Sequence, residues 1–502
     1  MPDGEVGLST DKRAASSQST AGGASATAST AETPELYRAR EQIQPKLAHG
    51  KYRAIKWALL VFTLGVYYGL PWVRWPRAAG EPDQAVLVDF AGGRFYFFFI
   101  EIWPDELYYV TGLLILSALA LFLATALFGR VWCGYTCPQT VWTDLYIAVE
   151  RLIEGDRNKR LKLNKGPWSA EKVAKKVSKH TIWLLIAAAT GGAWIFYFHD
   201  APTVFGQFFR GEAPGSAYMF AGILTFTTYT LAGMMREQVC TYMCPWPRIQ
   251  AALTDEETLQ VTYKADRGEP RGSHKKGDTW EGRGDCVDCH ACVVVCPMGI
   301  DIRDGAQLEC INCALCIDAC DDVMKKVGRP KSLIGYDTDK NAERRVAGEK
   351  PTVKLLRART IFYGAAFAIV TAVMLLTLGG RATLEVNVLR DRAPSFVTLS
   401  DGSVRNAYTV KIVNKDNDVR TFDISLAGVG EDFELEAVGL ASDGRSVKAD
   451  VFGDDVRSIR VFVTAPANEA APVSTPLAFS VKDVGSDEAS RNDTSFLRGR
   501  AK

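Results

Sequence analysis

The chain has 502 residues, with 59 Lys and Arg against 58 Asp and Glu, a net charge of +1 and a hydrophobic content of 47%. That length is more than one domain usually holds, and the apolar residues are gathered in blocks, which excludes a single small soluble domain. The balanced charge gives no overall basic field, so nucleic acid is not an expected partner.

In chain order, residues 1–34 are rich in Ser, Ala, Thr and Gly and lack the apolar core of a signal peptide, so they read as a disordered N-terminal tail. Five windows then have the length and apolarity to cross a bilayer, which takes about 20 residues of helix: 55–73, 108–129, 181–198, 217–235 and 360–380. Lys and Arg collect before the first window and after the second, whereas the loops after the first and third carry few. Cytoplasmic loops retain such charges. The N-terminus and residues 130–180 and 236–359 are therefore expected inside, and the tail beyond 380 outside. The basic run over 157–179 follows a span, so it reads as an orientation signal with affinity for anionic lipid.

Just past the second window stands VWCGYTCPQT (131–140), and just past the fourth stands QVCTYMCPWP (238–247). Each is Cys-x3-Cys-Pro, giving Cys133 with Cys137 and Cys240 with Cys244. An unbroken helix would put each pair on one face. A new helix opening at Pro138 or Pro245 would instead make Cys137 and Cys244 cap residues, whose thiols are acidified by the helix end. Four thiols at a membrane edge suit Cu(I); they could equally hold zinc, cycle between dithiol and disulfide, or be small residues at a kinked helix end.

Residues 286–297 read CVDCHACVVVCP and 310–321 read CINCALCIDACD. This doubled Cys-x2-Cys-x2-Cys-x3-Cys spacing predicts two [4Fe–4S] clusters of bacterial ferredoxin type, in which the fourth cysteine of each run serves the other cluster. Cys286, Cys289, Cys292 and Cys320 are expected to hold one, and Cys310, Cys313, Cys316 and Cys296 the second. Pro297 follows the first run, whereas Asp321 takes the matching place in the second. His290 lies among the ligands but is not needed as one. All twelve cysteines fall on the expected cytoplasmic side, where thiols stay reduced, which favours metal or redox chemistry over disulfides.

From about 382 onward, short alternating segments (382–390, 406–414, 422–428, 433–439, 456–465 and 476–483) are separated by turns, which predicts an all-β sandwich. It has neither Cys nor His, so it reads as a docking module or a passive cap. The five histidines, His49, His180, His199, His274 and His290, supply no facing pair for a haem within a span. No dinucleotide or ATP-binding loop is present.

The segments CGYTCPQTVWTDLYIAVERLIEG, CTYMCPWPRIQAAL, CPMGIDIRDG, ECINCALCIDACDDVM and GRPKSLIGYDT together resemble the FixG/RdxA/CcoG family of cytochrome c oxidase accessory proteins. The resemblance runs from about residue 35 to the end. It implies an assembly factor for the cbb-type haem–copper oxidase that reduces cupric to cuprous ion in the cytoplasm. It also implies that the eight ferredoxin cysteines are cluster ligands, that the Cys-x3-Cys-Pro thiols handle copper, and that the C-terminal sandwich is immunoglobulin-like.

The expected architecture is a polytopic α-helical membrane protein of five spans, with a cytoplasmic 2[4Fe–4S] ferredoxin domain and a C-terminal all-β immunoglobulin-like domain. Its segments are the tail 1–34, a four-span domain over 35–236 with the Cys-x3-Cys-Pro motifs at its edge, the ferredoxin domain over 237–359, a fifth helix over 360–380 and a periplasmic sandwich over 381–502. The expected function is an inner-membrane cupric reductase working with oxidase assembly factors or a copper chaperone or transporter, fed by an unidentified electron donor. A quinone-linked electron conduit and a non-enzymatic copper scaffold remain as alternatives.

Overall fold

Three stretches, Lys51–Trp72, Pro104–Phe128 and Ala358–Gly379, are long and apolar enough to cross a membrane, and little of each is buried within the protein. An outward-facing apolar surface of this kind is what lipid contact requires. The computed structural model describes residues 42–77, 81–275, 277–416, 418–467 and 472–498; the tail read over 1–34 lies outside them.

Helix α1 (Lys51–Gly69) leads through a short 3₁₀ turn into a meander of β1 (Val86–Asp89), β2 (Arg94–Phe97) and β3 (Ile100–Ile102), and α2 (Tyr108–Phe128) returns. There follow α3 (Val131–Tyr135), α4 (Pro138–Glu154), α5 (Arg157–Lys165), α6 (Ala170–Ile195), α7 (Ala201–Arg210) and α8 (Gly215–Thr228). The third and fourth expected spans fall on α6 and α8, and neither is a uniform apolar α-helix of full length. Helix α6 begins with the charged stretch AEKVAKKVSKH, and α8 passes into π-helical turns over Tyr229–Met235.

Part of the basic run expected to mark orientation is consumed inside the protein: Arg160, Lys172 and Lys179 are buried, whereas Lys159, Lys162 and Lys165 are exposed. Glu150 of α4 is buried and accepts from Arg160 of α5 at 2.7 Å, from Lys179 of α6 at 3.2 Å and from Arg236 at 3.0 Å. Lys179 also meets Glu154 at 2.9 Å, and Arg53 of α1 pairs with the buried Asp144 at 2.9 Å. Burial would raise the Glu150 carboxyl, but Arg236, Lys179 and Arg160 hold it below its ordinary value. The cluster locks α4, α5 and α6 to the π-helical segment, and Asp144 adds α1.

The ferredoxin half is closed by β4 (Gln260–Tyr263) paired antiparallel with β5 (Ile334–Asp337). Around it lie α9 (Trp246–Leu253), α10 (Ala265–Gly268), α11 (Ala291–Val295), α12 (Leu315–Lys326) and α13 (Asp339–Val346), before α14 (Ala358–Gly379). Asp318 of α12 accepts from the backbone N–H of Arg53 at 2.8 Å, which seats this half against the start of α1.

The C-terminal part is a sandwich of two antiparallel sheets. One is ordered β10 (Glu434–Ala437), β12 (Asp455–Ala465), β8 (Val404–Asn414), β6 (Leu384–Arg390), with β7 (Val397–Thr398) on β8; the other is β11 (Ser446–Val451), β9 (Arg420–Ala427), β13 (Ser474–Asp483), β14 (Ala489–Leu497). Alternate residues such as Tyr408, Val410 and Ile412 face Phe422, Ile424 and Phe479 in a fully buried core. The sandwich meets the opposite end of the helices: Arg94 of β2 bonds Asp454 at 2.5 Å, and Lys415 meets Glu106 at 3.1 Å.

Replacing Glu150 by Gln leaves the buried Arg160 and Arg236 without their counter-charge and Lys179 with Glu154 alone, which should destabilise the protein by about 3–5 kcal/mol. Thermal unfolding of the detergent-solubilised protein measures this. Because Glu150 is held below its ordinary value when folded, its contribution is present above the ordinary carboxylate range and lost as pH falls through the folded value. The variant should therefore lose less stability on acidification than wild type.

Candidate metal and redox centre

The two cysteine runs fold as copies of one another. In each, the residue before the second cysteine and the residue after it take left-handed backbone: Asp288 and His290 in the first run, Asn312 and Ala314 in the second, with φ between 51° and 59°. Such turns point successive N–H groups inward, as an anionic centre requires. The runs then open α11 and α12. Pro297 forces Cys296 into extended backbone and ends α11 after five residues, whereas Asp321 lets α12 continue to Lys326.

Cys286, Cys289, Cys292 and Cys320 line one small cavity, and Cys296, Cys310, Cys313 and Cys316 line a second, with Cys292 at the boundary. The fourth cysteine of each run thus faces the first three of the other. Backbone N–H groups reach these sulfurs, those of Met298 and Ile300 at Cys296, Asn312 at Cys310 and Ile334 at Cys320. Two sets of four soft thiolates, each served by amide donors, fit a [4Fe–4S] cluster apiece. His290 turns away: its Nδ1 faces Arg303 at 2.8 Å and its Nε2 lies 3.5 Å from Asp288.

The first Cys-x3-Cys-Pro motif is pressed against the second cavity. A Cβ on Gly134 would lie 2.5 Å from the carbonyl oxygen of Ile311 and 3.0 Å from the backbone N and Cα of Cys313, so only glycine lets α3 approach this closely. Cys133 packs with Ile311, Cys313 and Met298 and donates to Gln250 Oε1 at 3.2 Å. Cys137 occupies the N-cap of α4 with Pro138 in the first turn.

The second motif is built differently. Cys240 lies in π-helical turns over Val239–Met243, Cys244 closes them in extended backbone, and Pro245 rather than Cys244 is the N-cap of α9. The expected pair of equivalent cap cysteines is therefore realised only at Cys137, because Trp246 rather than Pro245 begins α9. Cys244 is exposed and the other three are half-buried.

The four thiols sense one another. Burial pushes Cys133 up to about 12, with Cys137, Cys240 and Cys244 adding to it, and burial pushes Cys240 up to about 12 with help from Cys137 and Cys244. The thiols raised in this way are the first of each motif, Cys133 and Cys240, which burial desolvates, and not the positions expected to cap helices. Among the described residues no three of these sulfurs lie within 4.8 Å of one another.

Arg130, counted from sequence only as an orientation charge, is the organiser of this site. It is buried and donates to the carbonyl oxygens of Leu308, Cys310 and Pro247, tying α2 to one cluster loop and to the second motif. Gln250, fully buried between Cys133 and Thr125, was likewise invisible as a single polar residue on a short helix. A Gly134→Val variant should cost about 1–3 kcal/mol by forcing α3 off the cluster loop. Iron release to a chelator, followed by the decay of cluster absorbance, should be faster than in wild type while Cys133 and Cys137 remain in place.

Three family models match the chain: a 4Fe-4S dicluster domain over residues 235–339, a 4Fe-4S binding domain over 110–160, and the IG-like fold at the C-terminus of FixG over 374–499, whose description ranks FixG provisionally as an oxidoreductase. Nitrogen fixation protein FixG of Rhizobium meliloti (strain 1021) is 50% identical over 481 residues, covering 90% of this chain and 92% of its own. Protein RdxB of Cereibacter sphaeroides is 49% identical over 473 residues, covering 93% and 98%, and Protein RdxA of the same organism is 48% identical over 460, covering 90% and 96%. With 4Fe-4S binding domains, a C-terminal IG-like domain and this identity along nearly its whole length, the chain belongs to the FixG/RdxA/RdxB family.

Proposed function

We propose that this protein is an inner-membrane oxidoreductase that reduces Cu(II) to Cu(I) on the cytoplasmic side, for delivery to a cbb-type cytochrome c oxidase under assembly. The observation that carries the reading is the contact of α3 with the cluster loop, Gly134 against Ile311 and Cys313, with Cys133 in the same packing. It brings soft copper-type ligands beside a cluster-binding segment.

In this reading the chain spans the membrane five times, α6 and α8 with its π-helical continuation adding to the three uniform apolar helices. The N-terminus and ferredoxin half are cytoplasmic and the sandwich is periplasmic. The distribution of Lys and Arg favours this orientation, as does contact of the ferredoxin half and the sandwich with opposite ends of the helices. The eight ferredoxin cysteines hold two [4Fe–4S] clusters, which when bound supply single electrons. The chain does the rest. Exposed Cys244 receives Cu(II) from solvent, the half-buried motif thiols, set too far apart to bind one ion as they stand, close on it as their protons leave, and soft sulfur favours the cuprous product once one electron has arrived. A copper chaperone or transporter, or another oxidase assembly factor, is the partner on either side of this step.

A second reading has its own support. The four motif sulfurs are spaced more widely than a single tetrahedral ion with metal–sulfur bonds of about 2.3 Å needs, and a 4Fe-4S binding domain matches residues 110–160. On that reading the thiols carry a further iron–sulfur centre, and copper is reduced elsewhere or not at all.

Anaerobic protein with dithionite-reduced clusters, mixed with Cu(II) and a Cu(I)-specific chelator, should produce cuprous ion as the cluster absorbance returns to the oxidised form. Cys133→Ser/Cys137→Ser/Cys240→Ser/Cys244→Ser should retain its iron and lose this reaction. No cuprous ion from fully reduced wild type would remove the copper reading. Loss of iron beyond that of two clusters in the variant would favour the further centre.

A further inference from the structure

Between α1, α2 and the ferredoxin half lies a cavity of about 520 Å³, outside both cluster cavities. Its walls are almost entirely carbon, and they change in character along its length. At one end stand Leu59 of α1 and Ala124 and Phe128 of α2; at the other stand the rings of Tyr52, Trp132 and Tyr336. Tyr52, Ile55 and Leu59 share one face of α1 at i, i+3 and i+7, so the cavity extends about 10 Å along the helix from its first turn. As α1 and α2 are apolar enough to span a membrane, the aliphatic end opens into the hydrocarbon and the aromatic end sits at its edge.

The aromatic end is wired to the redox centre. The Tyr336 hydroxyl donates to the carbonyl oxygen of Asn312 at 2.8 Å, and Asn312 lies between Cys310 and Cys313. Tyr135, also in the wall, stands between Cys133 and Cys137 and is itself buried. A volume of this size is in the range for a cofactor-sized ligand. Flat aromatic walls at the surface and aliphatic walls in the lipid match a molecule with a planar ring and an isoprenoid chain.

We propose that this cavity binds a membrane quinone, its ring among Tyr52, Trp132 and Tyr336 and its chain between α1 and α2, and that the quinol form is the electron donor. The inference rests on the oxidoreductase reading above and names the donor it lacks. Oxidation of the quinol releases two electrons and two protons. The clusters that the eight ferredoxin cysteines would hold would take up these electrons one at a time, and the protons leave to water at the membrane surface.

The test uses full-length, cluster-loaded protein in quinone-free phospholipid nanodiscs. A photoreactive azidoquinone should label the peptides carrying Tyr52, Trp132 or Tyr336, and decylubiquinone should quench tryptophan fluorescence saturably, with much of the quench absent in Trp132→Phe. Ala124→Trp, which fills the aliphatic end, should weaken both signals by roughly tenfold or more, with iron content and the dithionite-reduced cluster spectrum serving as its folding control. Labelling spread over other helices, unchanged by Ala124→Trp, overturns the proposal. So does full competition by added phospholipid, which would mark the cavity as an acyl-chain groove. Because these readouts need neither copper nor turnover, their failure is distinct from failure of the dithionite-driven copper assay.

Discussion

One buried guanidinium holds the centre of this molecule together. Arg130 leaves the end of α2, is almost fully enclosed, and spends its donors on carbonyl oxygens from two other segments, Leu308 and Cys310 of a cluster loop and Pro247 of the second motif. Charge-assisted bonds to backbone oxygens are stronger than neutral ones, and a buried arginine without them would be costly. The membrane helix, the second cluster and both Cys-x3-Cys-Pro motifs are therefore referred to one point. Gly134 completes the arrangement, since a Cβ there would collide with the Ile311 carbonyl oxygen and crowd the Cys313 backbone.

The rest of the membrane-proximal structure supports that point. The ion pairs around Glu150 and Asp144 fix α4, which Cys137 caps, against α1, α5, α6 and the π-helical turns before Cys240. The two motifs thus sit on elements joined by charge rather than by apolar packing alone. At the other end, Arg94 with Asp454 and Lys415 with Glu106 tie the sandwich to the β1–β3 meander and the start of α2. Redox chemistry and the sandwich occupy opposite ends of the same helices.

Much of this was legible in the sequence where the physics is local. Cluster ligation needs cysteines separated by two or three intervening residues, so the runs at 286–296 and 310–320 announce themselves, and the alternation of β6, β8, β9, β10, β12 and β13 comes from burial of one face of each strand. What was missed depends on distant partners or weak periodicity. Strand β14, ASRNDTSFL, is an edge strand whose polar residues give little alternation, the meander strands have only three or four residues, and β11, SVKADV, alternates but with only Val447, Ala449 and Val451 as its apolar signal. The π-helical pitch of Tyr229–Met235 and Val239–Met243 leaves no mark in composition. The basic run 157–179 looked like a surface signal because the acids that neutralise Arg160 and Lys179 lie on α4, and Arg130 and Gln250 acquire their roles only from segments more than a hundred residues away.

The central claim is that the Cys-x3-Cys-Pro sulfurs and the adjoining cluster loop form one centre that takes a copper ion. X-ray absorption at the copper edge of anaerobic protein loaded with one equivalent of Cu(I) tests it most directly. The account predicts a first shell of sulfur alone, at the short distance of cuprous thiolates, with the iron edge unchanged from copper-free protein. A shell of nitrogen or oxygen, or a copper-induced change at the iron edge that signals displaced cluster iron, would contradict it.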